Sequence, residues 1–169
     1  DTECAGAYDL SYDRYLLVWR RIVSGLDSDI VAQRIDAAMQ PVGNLILLET
    51  TAQVIAAAPT VCNINTGDRF IVVWQQTASP YVFGPWALIG RTVNAGDGQL
   101  HSSVFGLVGD ASEADLLGNP GVGSDGLLVY RTTNGARAVV IRLLATGALS
   151  VVSSFTIASG TGIRSPKVS

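Results

Sequence analysis

The stretch Asp-Arg-Tyr-Leu-Leu-Val-Trp at residues 13–19 decides the fold class of this chain, because the same phrase returns at nearly constant spacing. Residues 68–74 read Asp-Arg-Phe-Ile-Val-Val-Trp, and residues 126–130 read Gly-Leu-Leu-Val-Tyr. The three closing aromatic residues follow one another at steps of 55 and 56 residues. An internal period of this length is typical of a repeat architecture, so the sequence predicts three copies of one structural unit.

Each copy predicts the same run of strands. A polar loop follows the closing aromatic residue, then come an apolar segment with an arginine near its end, a glycine turn and a third apolar segment. A connector leads to a proline, and the short segment after it, such as 60–64, predicts one more strand. The connectors 50–58 and 110–118 have helical character, so we expect them to lie outside the sheets.

The apolar segments also indicate how the units pack. The runs Leu-Leu-Val at 16–18 and Ile-Val-Val at 71–73 contain no polar residue, whereas a strand with one solvated face would alternate. We therefore expect strands that are buried on both faces, between neighbouring sheets. The prediction is one repeat domain over 1–169, with units at about 4–49, 59–107 and 120–157 and with the first strand of a fourth unit at 165–169.

The composition narrows the class of protein. Of the 169 residues 48% are apolar and only 15% are charged, and 18 are glycine, which is typical of an all-β domain with many turns. The net charge of −3 is spread without blocks, whereas a nucleic-acid-binding protein normally carries a basic face. The long uncharged spans 70–90 and 143–163 are too polar to cross a bilayer. We therefore expect neither a nucleic-acid partner nor a membrane span.

The first copy carries a resemblance to a known family. Arg-Tyr-Leu-Leu-Val-Trp at 14–19, Asp-Ile-Val-Ala-Gln-Arg-Ile-Asp at 29–36 and Pro-Val-Gly at 41–43 resemble the blade repeat of bacterial secreted β-propeller proteins. The resemblance implies four-stranded blades, a toroidal assembly and an extracellular or cell-envelope location. It implies no particular activity, because propellers host many functions.

Three units and one opening strand do not close a propeller, which needs about four to eight blades. The chain is then completed by a protein partner, by further copies of itself in a homo-oligomer, or by a continuation outside this sequence. The alternative fold is a β-trefoil, which uses three four-stranded repeats and closes within one chain. A stable monomer of 17.7 kDa would favour the trefoil.

Residues for catalysis are scarce. His101 is the only histidine, and the two cysteines are far apart in the sequence, so no nucleophile–base pair or metal-ligand set can be assembled. Arg34, Arg91 and Arg142 end the second strand of each unit, and we expect each to have a structural role. We therefore predict that the chain is not an enzyme and has no catalytic residue, no metal site and no cofactor.

Two other sets of residues are candidates for function. Tyr81 and Trp86 lie in a loop specific to the second unit. Exposed aromatic rings are suited to stacking on sugars or to anchoring a protein partner. Cys4 and Cys62 fall in the first strands of consecutive units, three residues out of register. Two interpretations remain open for them: a disulfide in a secreted protein, or two free buried thiols.

These observations lead to two functional hypotheses. The first is a non-catalytic structural or assembly module of an extracellular or envelope complex. The second is a glycan-binding module that uses Tyr81 and Trp86.

Overall fold

The computed structural model describes residues 3–78, 86–101, 105–119 and 123–168. Within these ranges the chain forms twelve β-strands, one 3-10 turn at Asn65–Gly67 and no α-helix. The strands are β1 (Cys4–Asp9), β2 (Arg14–Ser24), β3 (Asp27–Asp36), β4 (Pro41–Glu49), β5 (Val54–Ile64), β6 (Arg69–Ala78), β7 (Ala87–Asn94), β8 (Phe105–Gly109), β9 (Ala111–Gly118), β10 (Asp125–Thr132), β11 (Gly135–Leu143) and β12 (Leu149–Ser159). The prediction of an all-β protein is confirmed.

The strands form three antiparallel meanders of four strands each: the first meander (β1–β4), the second (β5–β8) and the third (β9–β12). The first two meanders belong to one eight-stranded sheet, which is joined by a parallel pairing of Ser28 with Ile55. The third meander is a separate four-stranded sheet. Each meander contains one copy of the repeated phrase, in its second strand.

The repeated phrase begins with an aspartate because the turn before it needs an unusual backbone conformation. Asp13 and Asp68 have φ angles of 50° and 48°, in the left-handed region that aspartate tolerates better than most residues. The β-branched and aromatic residues that follow favour an extended chain. The strands β2 and β6 therefore start directly after these aspartates.

Two predicted connectors are strands, so the prediction of helical excursions at 50–58 and 110–118 is wrong. Residues 54–58 belong to β5, and residues 111–118 form β9, which pairs with β10. The structure buries Ala111 and Leu116 of β9 in the core, and this packing overrides the weak local preference for a helix cap. The second and third meanders therefore begin earlier than the predicted 59 and 120.

The hydrophobic core has two layers, one on each side of the second meander. In β6, Phe70, Val72 and Trp74 pack against the first meander, while Ile71 and Val73 pack against the third. All five of these side chains are fully buried. The uninterrupted apolar run in β6 thus serves two interfaces at once, as the sequence predicted for strands that lie between neighbouring sheets.

Candidate functional site

The first strands of the three meanders lie around one cavity of about 320 Å³. β1 runs beside β5, because the Ala58 N–H donates to Glu3 Oε2 at 2.6 Å and Asn63 Nδ2 donates to Asp9 Oδ2 at 2.7 Å. A segment near the C-terminus also reaches this cavity. The lining residues are Glu3, Cys4, Ala5, Ala58, Pro59, Thr60, Glu113, Ala114, Asp115, Ser165, Pro166 and Lys167.

Both β5 and β9 carry a bulge where they line the cavity. Ala58 and Pro59 lie opposite Trp74, and Glu113 and Ala114 lie opposite Tyr130, so that two residues face one in each pair of strands. The first bulge residue has a left-handed backbone in both places, with φ of 48° at Ala58 and 50° at Glu113. A non-glycine residue in this region is strained, and the surrounding structure must hold it there.

An acceptor from the preceding meander binds the N–H of each strained residue. The Ala58 N–H donates to Glu3 of the first meander, and the Glu113 N–H donates to Gln75 Oε1 of the second meander at 3.2 Å. Ser165 makes a third contact of the same kind: its φ is 44° and its N–H donates to Glu113 Oε2 at 2.5 Å. We call each of these contacts a bulge clasp.

Arginine side chains hold the carboxylates of the bulge clasps. Arg131 Nη1 lies 2.6 Å from Glu113 Oε1, and Arg20 Nη1 lies 3.7 Å from Glu3 Oε1. Burial opposes ionisation of Glu113, but the hydrogen bonds from the Ser165 N–H and from Arg131 outweigh it and keep the pKa of Glu113 below its usual value. The Glu113 carboxylate is therefore ionised at neutral pH and accepts hydrogen bonds from Arg131 and from the Ser165 N–H.

The contacts of this site suit the docking of strands more than the binding of a small ligand. Asp115 Oδ2 accepts the Val168 N–H at 3.0 Å, and Asp115 Oδ1 lies 3.5 Å from the Thr60 hydroxyl. The acidic groups of the cavity thus bind backbone N–H groups, arginines and a hydroxyl. Among the residues that the structure describes, no group of three or more His, Cys, Asp or Glu side chains could hold a metal ion.

Of the two candidate aromatic residues, Trp86 falls within the part of the chain that the structure describes. Tyr81 lies outside the described residues. Trp86 is half-buried immediately before β7, and its carbonyl oxygen accepts the Ala111 N–H at 3.0 Å. Its backbone therefore joins the second meander to the first strand of the third.

Cys4 and Cys62 both carry free thiols, of which Cys4 is exposed and Cys62 is buried. The contacts of Glu3 with Ala58 and of Asp9 with Asn63 set β1 parallel to β5, and Cys4 lines the cavity together with Pro59, three residues before Cys62. Three residues of extended chain span roughly 10 Å, because a strand rises about 3.3 Å per residue. A disulfide needs Cα atoms within about 7 Å, so this geometry favours the alternative of two free thiols.

Arg34, Arg91 and Arg142 lie in β3, β7 and β11, the third strand of each meander, but they do not hold equivalent positions. Each arginine pairs with a residue of the strand that contains the repeated phrase. That residue lies three positions before the closing aromatic residue for Arg34, two for Arg91 and five for Arg142, because the loops between the strands differ in length. The pairs are Arg34 with Leu16, Arg91 with Val72 and Arg142 with Asp125. Each arginine therefore faces different surroundings.

The sequence analysis missed the bulge clasps, although one signal for them was present. Glu3 and Glu113 lie about two repeat lengths apart. Downstream of each, the closing aromatic residue is followed directly by an arginine, which is Arg20 after Glu3 and Arg131 after Glu113. The signal was interrupted in the second unit, because alanine occupies position 58 and Gln75 supplies the acceptor there.

In the described ranges, no helix is long and apolar enough to cross a bilayer. No protein-family model matches the sequence. A search of the curated proteins likewise finds no match.

Proposed function

We propose that this chain contributes three consecutive blades to a β-propeller and works as a non-catalytic structural or assembly module. The proposed location is extracellular or in the cell envelope, as the resemblance of the repeat implies. Three four-stranded meanders that stack face to face, with their first strands around a common cavity, support this interpretation. A β-trefoil has less support, because the described strands pair between meanders at Ser28 and Ile55 alone.

The observation that carries the proposal is the position of the segment 165–168. Ser165 has a left-handed backbone and precedes Pro166, just as Ala58 precedes Pro59 in β5. Its N–H donates to Glu113 of the preceding meander, as the Ala58 N–H donates to Glu3. This segment thus makes the contacts of a first strand, and we infer that a fourth blade begins here.

The two end meanders leave apolar surface that a neighbouring blade would cover. On the outer face of the first meander, Leu17 is 44% exposed and Leu47 is 48% exposed. In the third meander, Phe155 of the last strand is 49% exposed. Apolar patches of this kind on a stable protein usually mark an interface. We infer that blades of the same type, from a continuation of the chain or from another copy, complete the ring.

The oligomeric state of the 169-residue chain tests the proposal. Sedimentation should give species heavier than 17.7 kDa that dissociate on dilution, and the substitution Leu17→Lys should shift the equilibrium toward the monomer. Ile22→Lys is the matched control, because Ile22 is also exposed but lies near the end of β2. A stable monomer at all concentrations, with both variants unchanged, would overturn self-assembly. Ring-shaped particles in electron micrographs would separate a propeller from other oligomers.

The glycan-binding alternative through Tyr81 and Trp86 has weaker support. Trp86 is half-buried, so only part of its ring is available to stack on a sugar. A glycan array tests it directly. Binding that is lost in both Tyr81→Ala and Trp86→Ala would favour this alternative, and binding that is unchanged in both would end it.

A further inference from the structure

A second cavity lies between the first and second meanders, away from the first strands. Its volume is about 430 Å³, within the range of small-molecule sites. It is formed by β3 and β4 of the first meander and by the turn after β7 of the second. The lining residues are Arg34, Gly43, Asn44, Leu45, Ile46, Asp97, Gly98, Gln99 and Leu100. We call it the Arg34 cleft.

Two arginines share one backbone acceptor beside this cleft. Arg34 Nη1 donates to the Gly96 carbonyl oxygen, and Arg14 Nη1 donates to the same oxygen at 2.5 Å. Arg34 is only 7% exposed. Neither guanidinium has a carboxylate within 4.0 Å among the residues described, so two positive charges lie close together and neither forms an ion pair. A charge this deeply buried is costly unless it is paired.

The edge of Arg34 formed by Nε and Nη2 has no hydrogen-bond partner among the described residues. Nε is buried and unsatisfied. Gly43 and Gly98 flank this edge: a Cβ atom on Gly43 would lie 2.8 Å from Nη2, and one on Gly98 would lie 2.8 Å from Nε. Both glycines line the cleft and have left-handed φ angles of 73° and 80°. A side chain at either position would collide with this edge, so glycine lets both turns pack against the guanidinium group.

Two other arginines in this protein use the same edge to hold a carboxylate. Arg142 donates from Nε and Nη2 to Asp125 at 2.6 and 2.8 Å, and Arg21 donates from the same two atoms to Asp29 at 3.0 and 2.5 Å. This fork matches the two oxygens of a carboxylate. Arg34 presents the same fork without a carboxylate, inside a cavity that has room for one.

The charge around the cleft favours a ligand with a single negative charge. Burial lowers the pKa of Arg34, the nearby charge of Arg14 lowers it further, and Asp97 raises it. The Asp97 Oδ1 atom accepts the Gln99 N–H at 2.8 Å, so this carboxylate is already bound within its own turn. One acidic group against two guanidinium groups leaves a surplus of about one positive charge, which suits a carboxylate better than a doubly charged phosphate.

We propose that the Arg34 cleft binds a sugar that carries a carboxylate, with the carboxylate on the unpaired edge of Arg34. Asn44, Asp97 and Gln99 offer donors and acceptors for hydroxyl groups, and Leu45 and Leu100 offer apolar surface for the sugar ring. The cleft lies between meanders that are both present in the chain. The proposal therefore does not depend on how, or whether, a ring is completed.

Titration with three probes tests the ligand class. Sodium glucuronate should bind saturably and shift the amide signals of Gly43 and Gly98 in a ¹H–¹⁵N correlation spectrum. Glucose, which has the same ring without the carboxylate, should cause no saturable shift. Inorganic phosphate should bind more weakly than glucuronate. Absence of saturable glucuronate binding, or tighter binding of phosphate, would overturn the assignment of a carboxylated sugar.

Three variants test the role of the residues. Arg34→Lys keeps the charge but loses the fork, so affinity for glucuronate should fall about tenfold or more. Arg142→Lys is the matched control, because Asp125 already occupies the fork of Arg142; its affinity should equal that of the wild type. Asp97→Asn removes the nearby negative charge and should tighten binding about threefold, at an effective dielectric of a surface site.

The Asp97→Asn variant keeps the proposal testable even if Arg34→Lys fails to fold. Asparagine still offers an oxygen to the Gln99 N–H, so the turn is retained while the charge is lost. Unchanged or weaker glucuronate binding in this variant contradicts the proposal, as does equal loss of binding in Arg34→Lys and Arg142→Lys.

Discussion

The second meander and the first meander carry almost the same strand, but their surroundings differ. β2 and β6 both contain an apolar run that ends in tryptophan, and Leu17 and Val72 hold the same place two residues before it. Val72 is fully buried, whereas Leu17 is 44% exposed. The residue types are alike, so the difference lies in whether a further sheet covers the face.

This contrast teaches that the repeated phrase places apolar residues on both faces of a strand, whether or not both faces are covered. The middle strand uses both interfaces, since its alternate residues enter two different core layers. The first strand uses one of them, through Leu16 and Val18. Its other face carries apolar residues, such as Leu17, that are exposed in the described chain.

The largest expected effect comes from the closing tryptophans. Trp74 is fully buried, so Trp74→Ala should lower the free energy of unfolding by about 3–5 kcal/mol. Trp19 is half-buried on the open side of the first meander, so Trp19→Ala should cost less than half as much in dilute solution. Urea denaturation of both variants measures the difference. Equal losses at low protein concentration would mean that the two faces are equally covered, and the contrast would fail.

A smaller effect is expected from the bulge clasp at the other end of the molecule. The pKa of Glu113 is lower in the folded chain than in the unfolded chain, so its ionised carboxylate stabilises the fold. This stabilisation is complete above the usual carboxyl pKa and is lost as the pH falls through the lowered pKa. Glu113→Gln should therefore lower stability at pH 7 by less than about 1 kcal/mol, since the ion pair with Arg131 is partly exposed. The difference from the wild type should vanish below that pH range.

Urea denaturation between pH 7 and pH 3 measures this effect. Glu3→Gln is the matched variant at the clasp between the first and second meanders, where the arginine is farther away, at 3.7 Å. Its effect at pH 7 should be no larger than that of Glu113→Gln. A Glu113→Gln variant that loses stability equally at all pH values would show that the carboxylate charge has no part in the clasp.

Much of the fold could be predicted from the repeated phrase alone. The all-β class and the burial of residues 71–73 on both faces follow from residues close together in the sequence, whereas the same expectation for residues 16–18 is wrong, because Leu17 is 44% exposed. The first strands of the later meanders could not be located in this way. Residues 111–118 resemble a helix start, and only pairing with β10 and burial of Leu116 make them a strand.

The candidate sites were harder to predict because their partners come from distant parts of the chain. Glu113 holds the N–H of Ser165, and Arg34 reaches the carbonyl oxygen of Gly96, more than fifty residues away in each case. The spacing rules for helices and strands, which join residues a few positions apart, do not connect such residues. The arginines show the same limit: relative to the closing aromatic residue, Arg91 pairs one residue out of step with Arg34, which places it on the opposite face of the sheet.

The two cysteines give the last and smallest test of the contrast between covered and open strands. Cys62 of β5 is buried in the second core layer, and burial raises its pKa to about 12. At pH 8 only about one Cys62 thiol in ten thousand is then a thiolate, the form that reacts. Cys4 of β1 is exposed. Iodoacetamide should therefore modify one thiol per native chain and two after denaturation, as intact mass would record.

A disulfide would give a different pattern of masses. No thiol would react in the native or the denatured chain until a reductant is added, and the unreduced chain would be lighter by about two hydrogen atoms. The variant Cys4→Ser separates the remaining cases, because its native form should resist modification entirely. Rapid modification of Cys62 in that variant would mean that β5 is not covered by the third meander, and that the second core layer opens in solution.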